Sequence, residues 1–322
     1  QTGGGCRASN YIHLLRKALA KADMGHVPVI SLSMTGLERH PGFQLSVSLV
    51  RRMFYGVLYG DLLMTLVNQT KPYEREKGSA QALADRWTDR IASEMCGRGR
   101  HGYGRVKSNY RLILNDFAAL PVEKSDKVMV GVVGEIFVKY SPLGNNNLEQ
   151  FLVDEGAEVV IPGLLDFCLY CLYNFHLDYR LYGMGRHTRL LYQTVYRYLL
   201  GKERDMIDAI ATHGRFTPPT LFTHTISLVQ GYIGMGVKMG EGWLLTAEML
   251  ELADKGVKNI VCTQPFGCLP NHICGKGMMK PIKTANPGIN IVAIDYDAGA
   301  TKVNQENRIK LMLANAKSQM GP

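Results

Sequence analysis

Lys127-Val128-Met129-Val130-Gly131-Val132-Val133, followed by Gly134-Glu135, is the stretch that decides the fold. It is nearly continuous in apolar, mostly β-branched residues, which reads as a strand buried on both faces. Such a strand belongs inside a parallel sheet, and the chain on either side supplies the alternation a parallel sheet needs. A polar turn at Ser141–Asn147 leads into a helix ending near Glu155, and Glu158–Pro162 reads as the next strand, completing a β-α-β unit. Trp243–Lys255 reads as a helix, Asn259–Thr263 as a strand, Ile273–Thr284 as a helix, Ile289–Asp295 as a strand and Val303–Lys317 as a final helix. Repeated strand–helix units predict an α/β fold, a parallel sheet with helices on both faces. The stretch from about 164 to 235 is helical, broken at Gly183, Gly185, Gly214 and Pro218-Pro219, and reads as an insertion.

Upstream, Tyr11, Ile12, Leu15, Ala18, Leu19 and Ala22 fall at helical spacing, Gly25 ends the helix, and Val27–Leu32 reads as a buried strand. Helices are expected over about Phe43–Gln69 and Gly78–Met95, and Gly97–Arg111 reads as a cationic loop. A boundary near Pro121–Asp126 then divides the chain. Residues 1–124 would be the later portion of an α/β domain whose first strand precedes the Thr2–Cys6 loop. Residues 125–322 would be a complete second α/β domain. The chain opens on Gln1 rather than Met, which agrees with truncation.

Composition narrows the class. A chain of 322 residues that is 46% hydrophobic and 20% charged is not disordered. No run of about 18 uncharged apolar residues is present, so no membrane partner is expected, and no signal peptide opens the chain. Seven cysteines, an odd number, argue against a disulfide framework and for a reducing, cytoplasmic setting. A formal charge of +9 favours anionic partners, among them nucleotides, CoA-like phosphates, acidic proteins and nucleic acid. Nucleic acid is disfavoured, because only the Arg98–Arg111 segment, with its interleaved tyrosines, supports it.

Ligands of open α/β sheets bind beyond the carboxyl ends of strands, so the loops there carry the candidates. Thr2-Gly3-Gly4-Gly5-Cys6-Arg7 places a thiol at a helix start among glycines, where backbone N–H groups stabilise a thiolate or an anion; the alternative is a plain Gly-rich turn. In Gln264-Pro265-Phe266-Gly267-Cys268-Leu269-Pro270-Asn271-His272-Ile273-Cys274-Gly275-Lys276, Cys268 sits in a loop constrained by Gly267 and Pro270, which suits a metal ligand. Cys262 and Cys274 read as packing residues. His272 is a ligand or a helix cap, and Glu135 stands at a strand end, where a catalytic carboxylate belongs. Cys168 and Cys171 form a C-x-x-C inside an apolar helical run, which reads as core, since no second pair completes four ligands.

QTGGGCRASNYIHLLRKAL (1–19), VPVISL (27–32), GEIFVKYSPLGNNNLEQFLVDEGAEVV (134–160), GEGWLLTAEMLEL (240–252), QPFGCLPNHICGKGMMKPIK (264–283) and NIVAIDYDAGATKVNQENRIKLML (290–313) together resemble one family. It is the C-terminal region of long proteins related to 2-hydroxyacyl-CoA dehydratase and its activator, a group that includes benzoyl-CoA reductase subunits. The resemblance implies flavodoxin-like three-layer domains holding a [4Fe–4S] cluster through three cysteines. Cys6 and Cys268 would be two of these, and the third would lie upstream of Gln1. Gly3, Gly4, Gly5, Arg7, Gly267 and Lys276 would line the cofactor, with Glu135 and His272 as proton-transfer candidates. The implied partners are an ATP-hydrolysing activator, which injects a low-potential electron, and an acyl-CoA, with a homo- or heterodimer as the assembly. The fragment alone would be inactive. The rival expectation is a non-enzymatic scaffold whose cysteines are structural.

Overall fold

The computed structural model describes residues 7–30, 46–97, 101–123, 125–297 and 299–319. The chain divides into two units, Gln1–Val50 and Arg51–Pro322. In the first, a 3-10 turn at Arg7–Asn10 leads into helix α1 (Tyr11–Lys21). Ile12 is buried, while Leu14 and Leu15 are exposed. The expected strand at Val27–Leu32 is corrected where it can be seen: residues 27–30 are not extended into a sheet, and Ser31 and Leu32 lie outside the described residues. Pro28 has no N–H to give a ladder, and no described strand pairs there.

Helix α2 (Val47–Thr70) leads into the second unit, which continues with α3 (Ser79–Cys96), α4 (Tyr103–Ala118), β1 (Val128–Gly134), α5 (Ile136–Tyr140), α6 (Leu148–Asp154) and β2 (Ala157–Val160). Three helices of the insertion follow, α7 (Leu164–Tyr182), α8 (Arg189–His213) and α9 (Phe222–Leu228). Then come α10 (Gly242–Asp254), β3 (Asn259–Pro265), a π turn at Asn271–Gly275, α11 (Met279–Ala285), β4 (Asn290–Tyr296) and α12 (Lys302–Gln319).

The four strands form one parallel sheet in the order β2-β1-β3-β4, with Gly134 beside Thr263 and Gln264 beside Asp295. This is the α/β arrangement that the apolar strand runs predict. Both faces are covered. Val128, Val130 and Val132 of β1 pack with Leu152 of α6 and Ile309 and Met312 of α12 on one side. Val133, Ile260 and Cys262 pack with α10 and the helical insertion on the other. Helix α10 is buried from Gly242 to Leu252. Trp243 is its anchor: the indole lies 5.0 Å from the Tyr170 ring and 6.3 Å from Phe222, and its Nε1–H donates to Asn174 Oδ1 at 3.1 Å. A buried Trp with its one donor satisfied contributes area without a desolvation penalty.

The expected boundary near residue 124 falls inside this second unit. Leu58, Leu62, Tyr110 and Phe117 from α2 and α4 share one buried core with Leu169, Phe222 and Trp243. Among the described residues before Glu123, the elements are helices plus a single bridge between Glu74 and Val122, not an α/β repeat. The cationic loop expected at Gly97–Arg111 is also corrected, since α4 starts at Tyr103. Its period explains why: Val106, Tyr110, Ile113, Leu114 and Phe117 are all buried on one face. The tyrosines that suggested a nucleic-acid segment turn inward or onto neighbours, with the Tyr103 hydroxyl donating to Asp205 at 2.9 Å and Lys107 paired with the same carboxylate.

Candidate functional site at the carboxyl edge of the sheet

From β1 the chain crosses to β2 on one side, and from β3 to β4 on the other. The strand order therefore reverses between β1 and β3, whose carboxyl ends border the crevice where open α/β sheets take ligands. Glu135 follows β1 there, and Cys268 follows β3.

Glu135 is buried. Its N–H donates to the Thr263 carbonyl at 2.9 Å, and its Oε2 accepts from the Val138 N–H at 2.8 Å, capping the short α5. Glu241, at the start of α10, is buried too and accepts from the Ile136 N–H at 3.0 Å. Two carboxylates from segments 106 residues apart thus meet the same turn. Burial chiefly, with the neighbouring Glu241 charge adding to it, pushes Glu135 up to about 7.

Gly267 takes φ +67° in the turn that delivers Cys268, whose N–H donates to the Pro265 carbonyl at 3.2 Å. The Cys268 thiol is buried, and its Sγ accepts from Asn271 Nδ2 at 3.2 Å and from the Asn271 backbone N–H. Burial raises its pKa, the Asn271 donors act against that rise, and the Glu241 and Glu135 charges reinforce it. His272 donates Nδ1–H to the Cys268 carbonyl at 2.9 Å, since a carbonyl only accepts. Gln264 and Asn271 are fully buried, and Gln264 Oε1 and Asn271 Oδ1 have no hydrogen-bond partner among the described residues. Lys276 lies beside Asp295 at 3.4 Å, so its charge is directed to that carboxylate.

The structure therefore brings together Glu135, Gly267, Cys268 and His272. Cys6, Gly3, Gly4 and Gly5 lie outside the described residues, and Arg7 opens the 3-10 turn of the first unit. Two further residues belong with the site, Asn271 and Glu241, to which the sequence reading gives no chemical role. Asn271 has one readable signal, its place three residues after Cys268 on a helical turn. Glu241 has none. Cys168 and Cys171 pack against the helical core, and burial pushes their thiols up to about 11 and about 12. Among the described residues no group of three or more His, Cys, Asp and Glu side chains could hold a metal ion.

The raised carboxyls make stability depend on pH. Glu135 at about 7, against an ordinary 4.5, and Asp61 at about 6, against 3.8 (burial outweighing two backbone N–H bonds from Leu165 and Leu164), hold their protons more tightly folded than unfolded. That advantage is complete below pH about 4 and is lost as pH rises through 6 and 7, about 2 kcal/mol for each group between pH 5 and 8. His101 and His176, held below their ordinary value by burial, act in the opposite sense at low pH. The difference between the parent and Glu135→Gln isolates the Glu135 contribution. In urea titrations the parent should lose more stability than the variant on going from pH 5 to pH 8. Parallel pH profiles would refute the assignment.

Comparison with known protein families, with curated proteins and with solved structures finds nothing that matches this chain.

Proposed function

We propose that the chain is the C-terminal part of an iron–sulfur redox component similar to the 2-hydroxyacyl-CoA dehydratase and activator proteins, with Cys268 as one thiolate ligand of a [4Fe–4S] cluster. The observation that carries this reading is the setting of Cys268. It stands at the switch point between β1 and β3, with two N–H donors from Asn271 directed at its sulfur. Sulfur ligands of clusters are stabilised by such donors. The described residues supply this one thiolate and its donors; Cys6 and the upstream cysteine would complete the set.

When bound, the cluster supplies a center that takes up and passes on single electrons at low potential. The chain's own residues do the rest. Asn271 orients the thiolate, and His272 is tied to the Cys268 carbonyl beside it through Nδ1–H. Glu135, half-protonated near neutral pH, holds a proton at the crevice. A reducing cytoplasm would be the setting, and an ATP-hydrolysing activator and an acyl-CoA would be the partners.

Anaerobic reconstitution of the full-length protein, including the segment upstream of Gln1 that would carry the third cysteine, with ferrous iron and sulfide tests the proposal. Cys268→Ala should lower bound iron and the absorption near about 400 nm that sulfur-to-iron charge transfer gives, while Cys168→Ala should not. Equal iron in the parent and Cys268→Ala, or no absorption in any form, would overturn it. The second reading, a scaffold with structural cysteines, is favoured by the deep burial of Cys262 and Cys274. It predicts that every cysteine variant changes stability and none changes iron.

A further inference from the structure

Helices α7 and α8 lie against each other and are joined by the turn 183–188. Their joined end is unlike the rest of the surface. Leu181 is 48% exposed, Tyr182 58%, Met184 61%, Leu190 74% and Leu191 63%. On α8, Leu190 and Leu191 begin a stripe that continues through Val195 and Tyr198, both exposed, at the spacing of one helix face. The charge there has one sign. Between Asp178 and Glu203 the sequence contains no acid, while Arg180, Arg186, Arg189 and Arg197 are all present; Lys202, at the far end, is paired with Asp205 at 3.9 Å. The two flanking acids are taken up, Asp178 by the Lys238 ammonium and Glu203 by burial, where it accepts from the Phe222 N–H at 3.1 Å. Val237 and Met239, on either side of Lys238, are exposed too.

We propose that this hairpin end docks on an anionic lipid surface, the leucines, Met184 and Tyr182 entering the boundary between headgroups and acyl chains while the arginines meet lipid phosphates and carboxylates. The chemistry is complementary: exposed Leu and Met, an interfacial Tyr, and arginines with no exposed acid among them. The shape agrees. The apolar residues crown a turn between two helix ends, which suits entry into a deformable surface, whereas a partner helix needs a groove to lie in. No described helix is long and apolar enough to cross a membrane, and this docking requires none. The lack of a spanning run does not bear on a short amphipathic end of this kind.

Sedimentation of the full chain with lipid vesicles decides the matter. Binding is expected with phosphatidylcholine containing about 30% phosphatidylserine, not with phosphatidylcholine alone, and it should weaken as salt rises. Arg186→Glu should weaken it at least about fivefold, since each surface cation is worth about 1 kcal/mol, and Leu190→Asp with Leu191→Asp at least about tenfold. Both variants should keep the parent's melting temperature, because these side chains are exposed. No binding to the anionic vesicles, or binding that is unchanged in both variants, overturns the proposal. So does a dimer that the Leu190/Leu191 variant converts to monomer without any vesicle binding, which would make the face an interface between copies.

Discussion

Gly134→Ala is expected to destroy the folded state of the second unit, with a loss above about 4 kcal/mol. Gly134 has φ +141°, a conformation that side chains rarely adopt, and a Cβ there would sit 1.9 Å from the Thr263 carbonyl oxygen and 2.4 Å from its Oγ1. The obstacle is backbone, which cannot rotate away. It is also backbone that the sheet uses: that carbonyl accepts from the Glu135 N–H at 2.9 Å, and the Thr263 hydroxyl donates to the Val133 carbonyl at 3.1 Å. Relieving the clash means parting β1 from β3 at the edge where Glu135 and Cys268 meet. Gly256→Ala is the control. That glycine also has positive φ, +77°, but nothing lies within 4 Å of an added Cβ, so only the strain of about 1–2 kcal/mol remains. Soluble yield and thermal melting of the two variants should differ sharply. A Gly134→Ala protein that melts within a few degrees of Gly256→Ala would refute the close approach.

The sheet was legible because its strands are buried on both faces, and burial leaves continuous apolar runs. Val128–Val133 and Ile260–Cys262 are of this kind, and the expected bounds differ from the observed ones by a residue or two. Val27–Leu32 carries the same composition without a partner strand in its described part, and composition alone does not report pairing. The segment 101–118 misled for the opposite reason. Its glycines and cations at the start outweighed the period of Val106, Tyr110, Ile113 and Phe117, although only the period reports which face is buried. The expected boundary near residue 124 does not coincide with a break in the core, because α2–α4 pack on the sheet's own helical layer, a long-range fact that no local window contains. In the site, Cys268 was legible from its flanking Gly267 and Pro270, and Glu135 from its place after a strand. Glu241 was not. Its role comes from the turn that it shares with Glu135, and that neighbourhood is made by the crossover.

Lys139 and Glu248 pose a sharper question about that neighbourhood, and Lys139→Met should cost about 3–5 kcal/mol. The pair is almost wholly buried, Nζ to Oε1 is 2.8 Å, and it ties α5 to the middle of α10. Removing the cation leaves Glu248 buried without its partner. Burial already raises the pKa of Glu248, and Lys139 is the attraction that opposes that rise for Glu248 and for Asp61. The single variant should therefore be less damaged at pH 5, where the carboxyls can protonate, than at pH 8. Lys139→Met combined with Glu248→Leu removes both charges and should recover most of the loss, since replacing a buried ion pair with apolar side chains is often neutral. The pair then needs another reason to stand where it does. It fixes the position of α5, whose first turn carries Glu135 and meets Glu241, against the helix that begins with Glu241. The double variant should regain its melting temperature yet show a changed Glu135 titration, read from its carboxyl chemical shift against pH. If its stability recovers and the Glu135 titration is unmoved, the pair is only one of several ways to fill the same space. If the double variant is as unstable as the single one, packing rather than the stranded charge sets the cost.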